Sequence, residues 1–131
     1  MNHKFAELME VIDKNLKYSG WANSQSVQSC LLELESEVKE LEVGLRNQDK
    51  DNIIEEVADI LYDSLMLARL AQREHNVKMS ALMEKSIQKL RRRKPYIFEE
   101  SHVTLEEEKR LWKEEKANEG KIEKNCKTVN S

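Results

Sequence analysis

The stretch "IIEEVADILYDSLMLARLA" (Ile53–Ala71) reads as a helix made for burial, because its Ile, Val, Leu, Met and Ala residues recur at helical spacing. Four acids interrupt it: Glu55, Glu56, Asp59 and Asp63. A carboxylate among apolar neighbours is costly unless something positive meets it. Glu56, Asp59 and Asp63 stand at i, i+3 and i+7 and share one stripe, whereas Glu55 lies about 100° away and faces solvent. The stripe calls for a positive partner.

Bulk properties narrow where to look. The chain has 131 residues, a length suited to one domain. Charged residues make up 36% and aromatics 5%, with three Gly and one Pro. That balance favours long helices over sheet. A net charge of −3 argues against nonspecific nucleic-acid binding. Asp59, Asp63 and Arg69 break the longest apolar run well short of the ~20 residues of a membrane span. "MNHKFAELME" (1–10) lacks the apolar centre of a signal peptide. Cys30 and Cys126 are too few and too scattered for a disulfide framework or a zinc site. The expectation is a cytoplasmic protein without a membrane partner.

Outward from the central stretch, the pattern predicts an all-α fold. A first helix over about 2–18 carries Phe5, Leu8, Met9, Ile12 and Leu16, and Gly20 ends it. "GWANSQS" (20–26) links it to a second helix, capped by Asn23 or Ser24 and running to about Arg46. The second helix has a seam of Val27, Leu31, Leu34, Val38, Leu41 and Leu45 at 4-3 spacing. The third helix starts at Asp51 or Asn52 and ends at His75, with Asn76 turning the chain. The fourth carries Met79, Leu82, Met83, Ile87 and Leu90 and stops at Lys94, since Pro95 disfavours a helical residue before it. "PYIFEESHV" (95–103) reads as irregular. A fifth helix opens on Thr104–Glu107, a capping-box pattern, and from 119 a mobile tail has little to bury. The expected architecture is a four-helix bundle with an additional C-terminal helix, one domain over 1–118 and a tail over 119–131. The seam of the second helix, with Ile53, Ile60 and Leu67 on the third, predicts a homo-oligomer formed by helix packing.

What meets the acids has two readings. One is a buried ion pair, with Arg69 or with a partner subunit. The other is a hard cation, since Mg²⁺ takes oxygen ligands octahedrally. Two antiparallel helices each offering an i, i+3 carboxylate pair can hold one, and Glu37/Glu40 facing Glu56/Asp59 is such an arrangement. The second helix, however, also carries Glu33, Glu35 and Glu42, and spacing alone does not select among its five acids. A di-iron carboxylate bundle needs Glu-x-x-His motifs, which His3, His75 and His102 do not supply.

"SEVKEL" (36–41) followed by "EEVAD" (55–59) resembles the E-E-x-x-E and E-x-x-D motifs of the MazG nucleotide pyrophosphohydrolases, in the all-α NTP pyrophosphatase superfamily. Ser36 replaces the first Glu, a position usually outside the ligand set. "WANSQS" (21–26) resembles the family's W-x-x-x-Q-[ST]. "KLRRRKPYIF" (89–98) resembles its K-x-x-R-R-H-P-H-V-F, with Lys94 and Tyr96 in place of the histidines. "WKEEK" (112–116) resembles its W-x-x-x-K. The similarity covers residues 15–118.

The resemblance implies a MazG-like bundle assembled as a homodimer or a dimer of dimers. It implies Mg²⁺, with Mn²⁺ as a substitute, held by Glu37, Glu40, Glu56 and Asp59. The implied activity is hydrolysis of nucleoside triphosphates, above all dNTPs, between the α and β phosphates, in nucleotide-pool housecleaning. Glu37 and Glu40 become candidates for the general base, and Asp63 for a neighbour that orients the ligands. Lys89, Arg92 and Arg93 become phosphate contacts. Trp112 covers the nucleotide and Lys116 reaches phosphate. Trp21 either stacks on the base or plugs the end of the bundle, and Gln25, offering both donor and acceptor, reads the base edge. The alternative is a catalytically silent helical dimer acting as a nucleotide-binding or regulatory module.

Overall fold

The computed structural model describes the backbone of residues 2–130 and the side chains of residues 3–121. Among these residues there are seven helices and no strand. The chain divides into two compact units, Met1–Met79 and Ser80–Ser131.

In the first unit, α1 (Asn2–Tyr18) and the single turn α2 (Gly20–Asn23) lead into α3 (Val27–Arg46) and α4 (Lys50–His75). Ile12 and Leu70 are fully buried, with Met9, Cys30 and Met66 beside them. Each contributes on the order of 2 kcal/mol of burial free energy. Phe5, expected on the inner face of α1, is exposed. Polar ties complete the docking of α1 on α4: Asp13 pairs with Arg69 at 2.9 Å, and Asn15 hydrogen-bonds the Tyr62 hydroxyl.

The sequence reading places the helix starts late or early by a turn or less. Ser26, not Asn23 or Ser24, caps α3, because its hydroxyl accepts from Ser29 N–H while Ser29 Oγ accepts from Ser26 N–H. Asp49 caps α4 by accepting from Asn52 N–H at 3.2 Å, so the helix begins one residue before Asp51. Asn76 ends α4 in the left-handed conformation at φ 51, as its small polar side chain allows.

Helices α3 and α4 form an antiparallel hairpin fastened at both ends. At the loop, a Cβ on Gly44 would come within 2.9 Å of Asn52 Nδ2, so glycine lets the helices approach closely. At the open end, Arg73 Nη2 donates to Gln25 O at 2.6 Å and Val27 N–H donates to Glu74 Oε1 at 2.9 Å. The α3 seam is only partly covered. Val27, Leu34 and Leu41 are half-buried, while Leu31, Val38 and Leu45 are exposed.

The second unit holds α5 (Met79–Arg93), the turn α6 (Pro95–Phe98) and α7 (Leu105–Asn130). The turn lies in the segment expected to be irregular. Thr104 Oγ1 accepts from Glu107 N–H at the start of α7, in keeping with the capping pattern. The helix runs past residue 118, where the sequence reading ended it. Most of the expected tail, Cys126 included, falls outside the residues whose side chains are described. No helix among the described residues is long and apolar enough to cross a membrane.

Candidate metal centre

The α3–α4 hairpin sets its acids face to face. Carboxylate oxygens of Glu37, Glu56 and Asp59 all lie within 4.8 Å of one another. Glu56 is buried at 6% exposure, Glu37 is half-buried and Asp59 is exposed, which makes the cluster one with an inner wall and an open side. Glu40 is exposed and outside this group of three, yet near enough to raise the Glu56 carboxyl further.

Electrostatics show how unfavourable the cluster is by itself. The Glu56 carboxyl is pushed up to about 8, first by the Glu37 carboxyl set against it, with which it would share a proton, then by burial, then by Glu40. Asp63, one turn along α4, is pushed up to about 6 by burial and by the charges of Glu37, Asp59 and Glu33. None of these acids is in an ion pair among the described residues. Arg69, the sequence reading's candidate partner, goes to Asp13 instead. Oε2 of Glu37 and Oε2 of Glu56 are buried without a hydrogen-bond partner. A buried acceptor left alone costs about 1–3 kcal/mol.

These donors fit a hard divalent cation. They are all oxygens, as Mg²⁺ and Mn²⁺ prefer. Ligands bonded at about 2.1 Å lie roughly 3–4 Å apart around an octahedral ion. The cluster is already nearly that tight, and its two orphaned oxygens would gain a partner.

Comparison with known proteins places the two helices in a family. Residues 25–98 match the profile of the MazG nucleotide pyrophosphohydrolase domain, a segment that spans both motif helices. The chain belongs to the MazG family. A MazG-related protein from Thermotoga maritima has a similar crystal structure, with TM-score 0.79 and 34% identity over 86% of this chain and 98% of that one. A nucleoside triphosphate pyrophosphohydrolase of Mycolicibacterium smegmatis is 29% identical over 122 residues. That match takes in 91% of this chain and 37% of the relative, so the chain spans little more than a third of the relative's length. The family is described as one of nucleotide pyrophosphohydrolases, and the all-helical fold here is the MazG fold.

The remaining candidate residues of this MazG chain fall in two places. In the first unit, Trp21 is 65% exposed, and with Gln25, Tyr62 and Asp63 it lines a cavity of about 30 Å³. Gln25 is held in place on both its main chain and its side chain. Arg73 takes its carbonyl, and Ser29 Oγ donates to its Oε1 at 2.7 Å while accepting from Ser26 N–H. The amide NH₂ is thereby the end of Gln25 left without a hydrogen-bond partner among the described residues. Ser29 escaped the sequence reading, although Ser26-x-x-Ser29 is a recognisable cap signal.

In the second unit, Lys89 and Arg92 line a cavity of about 660 Å³ along α5. Arg92 and Arg93 are engaged with acids of α7, and Arg93 and Lys116 lie 4.9 and 5.1 Å from the Trp112 ring centre. Lys94 pairs with Glu108, which also accepts from the Tyr96 hydroxyl at 2.8 Å. These α7 acids escaped the sequence reading too. Their signal is the 4-3-4 spacing of Glu108, Trp112, Glu115 and Glu119 along one face.

Proposed function

We propose that this chain is a Mg²⁺-dependent pyrophosphohydrolase of nucleoside triphosphates, with dNTPs preferred. It would release a nucleoside monophosphate and pyrophosphate by cleaving the α–β anhydride. The observation that carries the proposal is a pair of carboxylates with buried oxygens, Glu37 and Glu56, set against each other between two helices in a MazG domain with no cation partner among the described residues. Such a pair is hard to explain as structure alone, because it destabilises the fold that contains it.

The roles follow from position. Glu37, Glu56 and Asp59 would hold the ion. Bound Mg²⁺ would neutralise phosphate charge and make a water molecule easier to deprotonate. Glu40, exposed beside the cluster, would take the proton from the attacking water, and Glu37 is the other carboxylate placed to do so. Asp63 would orient the ligands on α4 from one turn away. Lys89, Arg92 and Arg93 would bind phosphate oxygens, with Lys116 adding charge and Trp112 covering the nucleotide. Trp21 would stack on the base, and Gln25 would donate to its edge. The two compact units would act as one functional domain over 1–118, a reading supported by the MazG match running from 25 to 98 across both. Hydrolysis of surplus or noncanonical nucleotides in the cytoplasm is the role we assign.

The test is product analysis. Incubation with Mg²⁺ and a panel of NTPs and dNTPs is expected to give monophosphate and pyrophosphate in equal amounts. Diphosphate with orthophosphate would place the attack on another phosphorus. Folded protein that binds nucleotide without turnover would point to the silent binding module.

Oligomerisation is part of the same proposal. Ile54, Val57 and Leu61 on α4 are 57%, 51% and 54% exposed and stand at 3-4 spacing. Together with Leu31 and Val38 of α3 they present more apolar surface than a solitary hairpin tolerates. A homodimer or a dimer of dimers would cover it. Ile53, Ile60 and Leu67, the face expected from the sequence, are already half-buried. The Val57→Lys variant is expected to lower the mass measured by light scattering by at least half. An unchanged mass would remove this stripe from the interface.

A further inference from the structure

Among its described residues the second unit has almost no apolar interior. No residue of α5 is buried, and charged contacts join it to α7. Arg93 makes a two-pronged contact with Glu119, Nε to Oε1 at 3.0 Å and Nη2 to Oε2 at 2.8 Å. Arg92 reaches the same carboxylate at 3.0 Å and Glu115 at 3.5 Å. The ring of Trp112 backs the Arg93 guanidinium.

This is the geometry with which paired arginines take a phosphate group: a planar fork on two oxygens, a second guanidinium on one of them, and an aromatic face behind. Here the oxygens belong to the protein itself. Arg93 and Glu119 are both only 18% exposed, so the pair is partly shielded from water and stronger than a surface ion pair. The two arginines hold the Glu119 carboxyl near 2, well below the usual range, so it stays ionised at any physiological pH.

We propose that α7 is a displaceable strap. Glu119, supported by Glu115, occupies Arg92 and Arg93 as an internal substitute for phosphate, and a polyphosphate anion must displace it to bind. The proposal rests on the reading that these arginines take phosphate oxygens. It goes beyond that reading by giving them a resident competitor in the same chain. Binding would free the α7 segment around 112–121 from α5, and the strap would return as the product leaves. Because the competitor is a single carboxylate, a ligand with two or more linked phosphate groups, able to engage Arg92 and Arg93 separately, would displace it more readily than orthophosphate.

Binding of inorganic pyrophosphate in the presence of a chelator isolates this step from the carboxylate centre. Calorimetry is expected to show Glu119→Gln binding pyrophosphate about tenfold tighter than wild type, the factor lost when only one molecule in about ten has its arginines free. Glu114→Gln, an exposed acid on another face of α7, is expected to match wild type. In the wild-type protein, pyrophosphate is expected to quicken amide exchange over 112–121. Equal or weaker binding by Glu119→Gln, or slower exchange in wild type, would overturn the proposal. If Glu119→Gln loses helicity by circular dichroism, the exchange measurement on wild type decides alone. Nucleotide turnover with equal pyrophosphate affinities would remove the strap and leave the hydrolase. Tighter binding by Glu119→Gln without any turnover would do the reverse.

Discussion

Glu56→Gln is expected to make the metal-free protein more stable at about pH 9 and to abolish most of its activity. The two effects have one origin. The Glu56 carboxyl has an ordinary value of 4.5 and is pushed up to about 8 in the fold. Between those values the unfolded chain is ionised while the native chain keeps its proton. The native state therefore binds more protons, and stability falls as pH rises. Stability that is fully present below 4.5 is lost as the pH climbs through about 8. Asp63, raised from 3.8 to about 6, adds a smaller fall of the same sign. Gln at position 56 carries no charge to repel Glu37 and Glu40. Thermal midpoints of wild type and variant should thus coincide near pH 4 and separate with rising pH, with the variant higher. Saturating Mg²⁺ should reverse the order, because it binds wild type and the variant lacks a ligand. Loss of even one residue that supports a ligand costs about 10–100-fold in metal affinity or activity, so losing a ligand itself should cost at least about a hundredfold. A Glu56→Gln protein that melted below wild type at high pH without metal would mean that the carboxylate has a cation partner after all.

Asp59→Asn and Glu40→Gln are expected to fail in different ways. Asp59 shares the three-residue cluster, so its variant should lose Mg²⁺ affinity and turnover together. Glu40 stands outside that cluster and is exposed. Its variant should bind Mg²⁺ within a few-fold of wild type by calorimetry while turnover falls by about 10²–10⁴, the usual contribution of a general base. Equal loss of metal affinity in both variants would make Glu40 a ligand instead. A nearly active Glu40→Gln would move the role of base to Glu37.

Much of the fold was legible because it is periodic. The α4 helix announced itself through Ile53–Ala71, and Asn76 marked its end through the left-handed conformation that few other residues accept. Pro95 bounded α5 for an equally local reason. Helix starts were harder, since Asn23, Ser24 and Ser26 all qualify as caps and only the Ser26–Ser29 reciprocity decides. On the site, the i, i+3 spacing showed that Glu56 and Asp59 share a face, and family resemblance supplied Glu37 and Glu40. What spacing could not show is that Arg69 is already committed to Asp13 some fifty residues away in sequence. Nor could it show that Glu119 closes on Arg93, because a contact between two polar helices leaves no apolar pattern to follow.

The fastened α3–α4 hairpin has a consequence for what happens when the ion arrives. Repelling carboxylates on a loose scaffold would simply move apart. Here the Asp49 N–H to Gly44 O bond ties one end, and the Arg73 and Glu74 hydrogen bonds tie the other, which opposes that separation. The raised Glu56 carboxyl favours relieving the repulsion by taking up a proton between Glu56 and Glu37. Proton and Mg²⁺ are then rivals for one place. Loading the site should acidify an unbuffered solution, and the apparent affinity for Mg²⁺ should climb with pH until about 8 and level off above it.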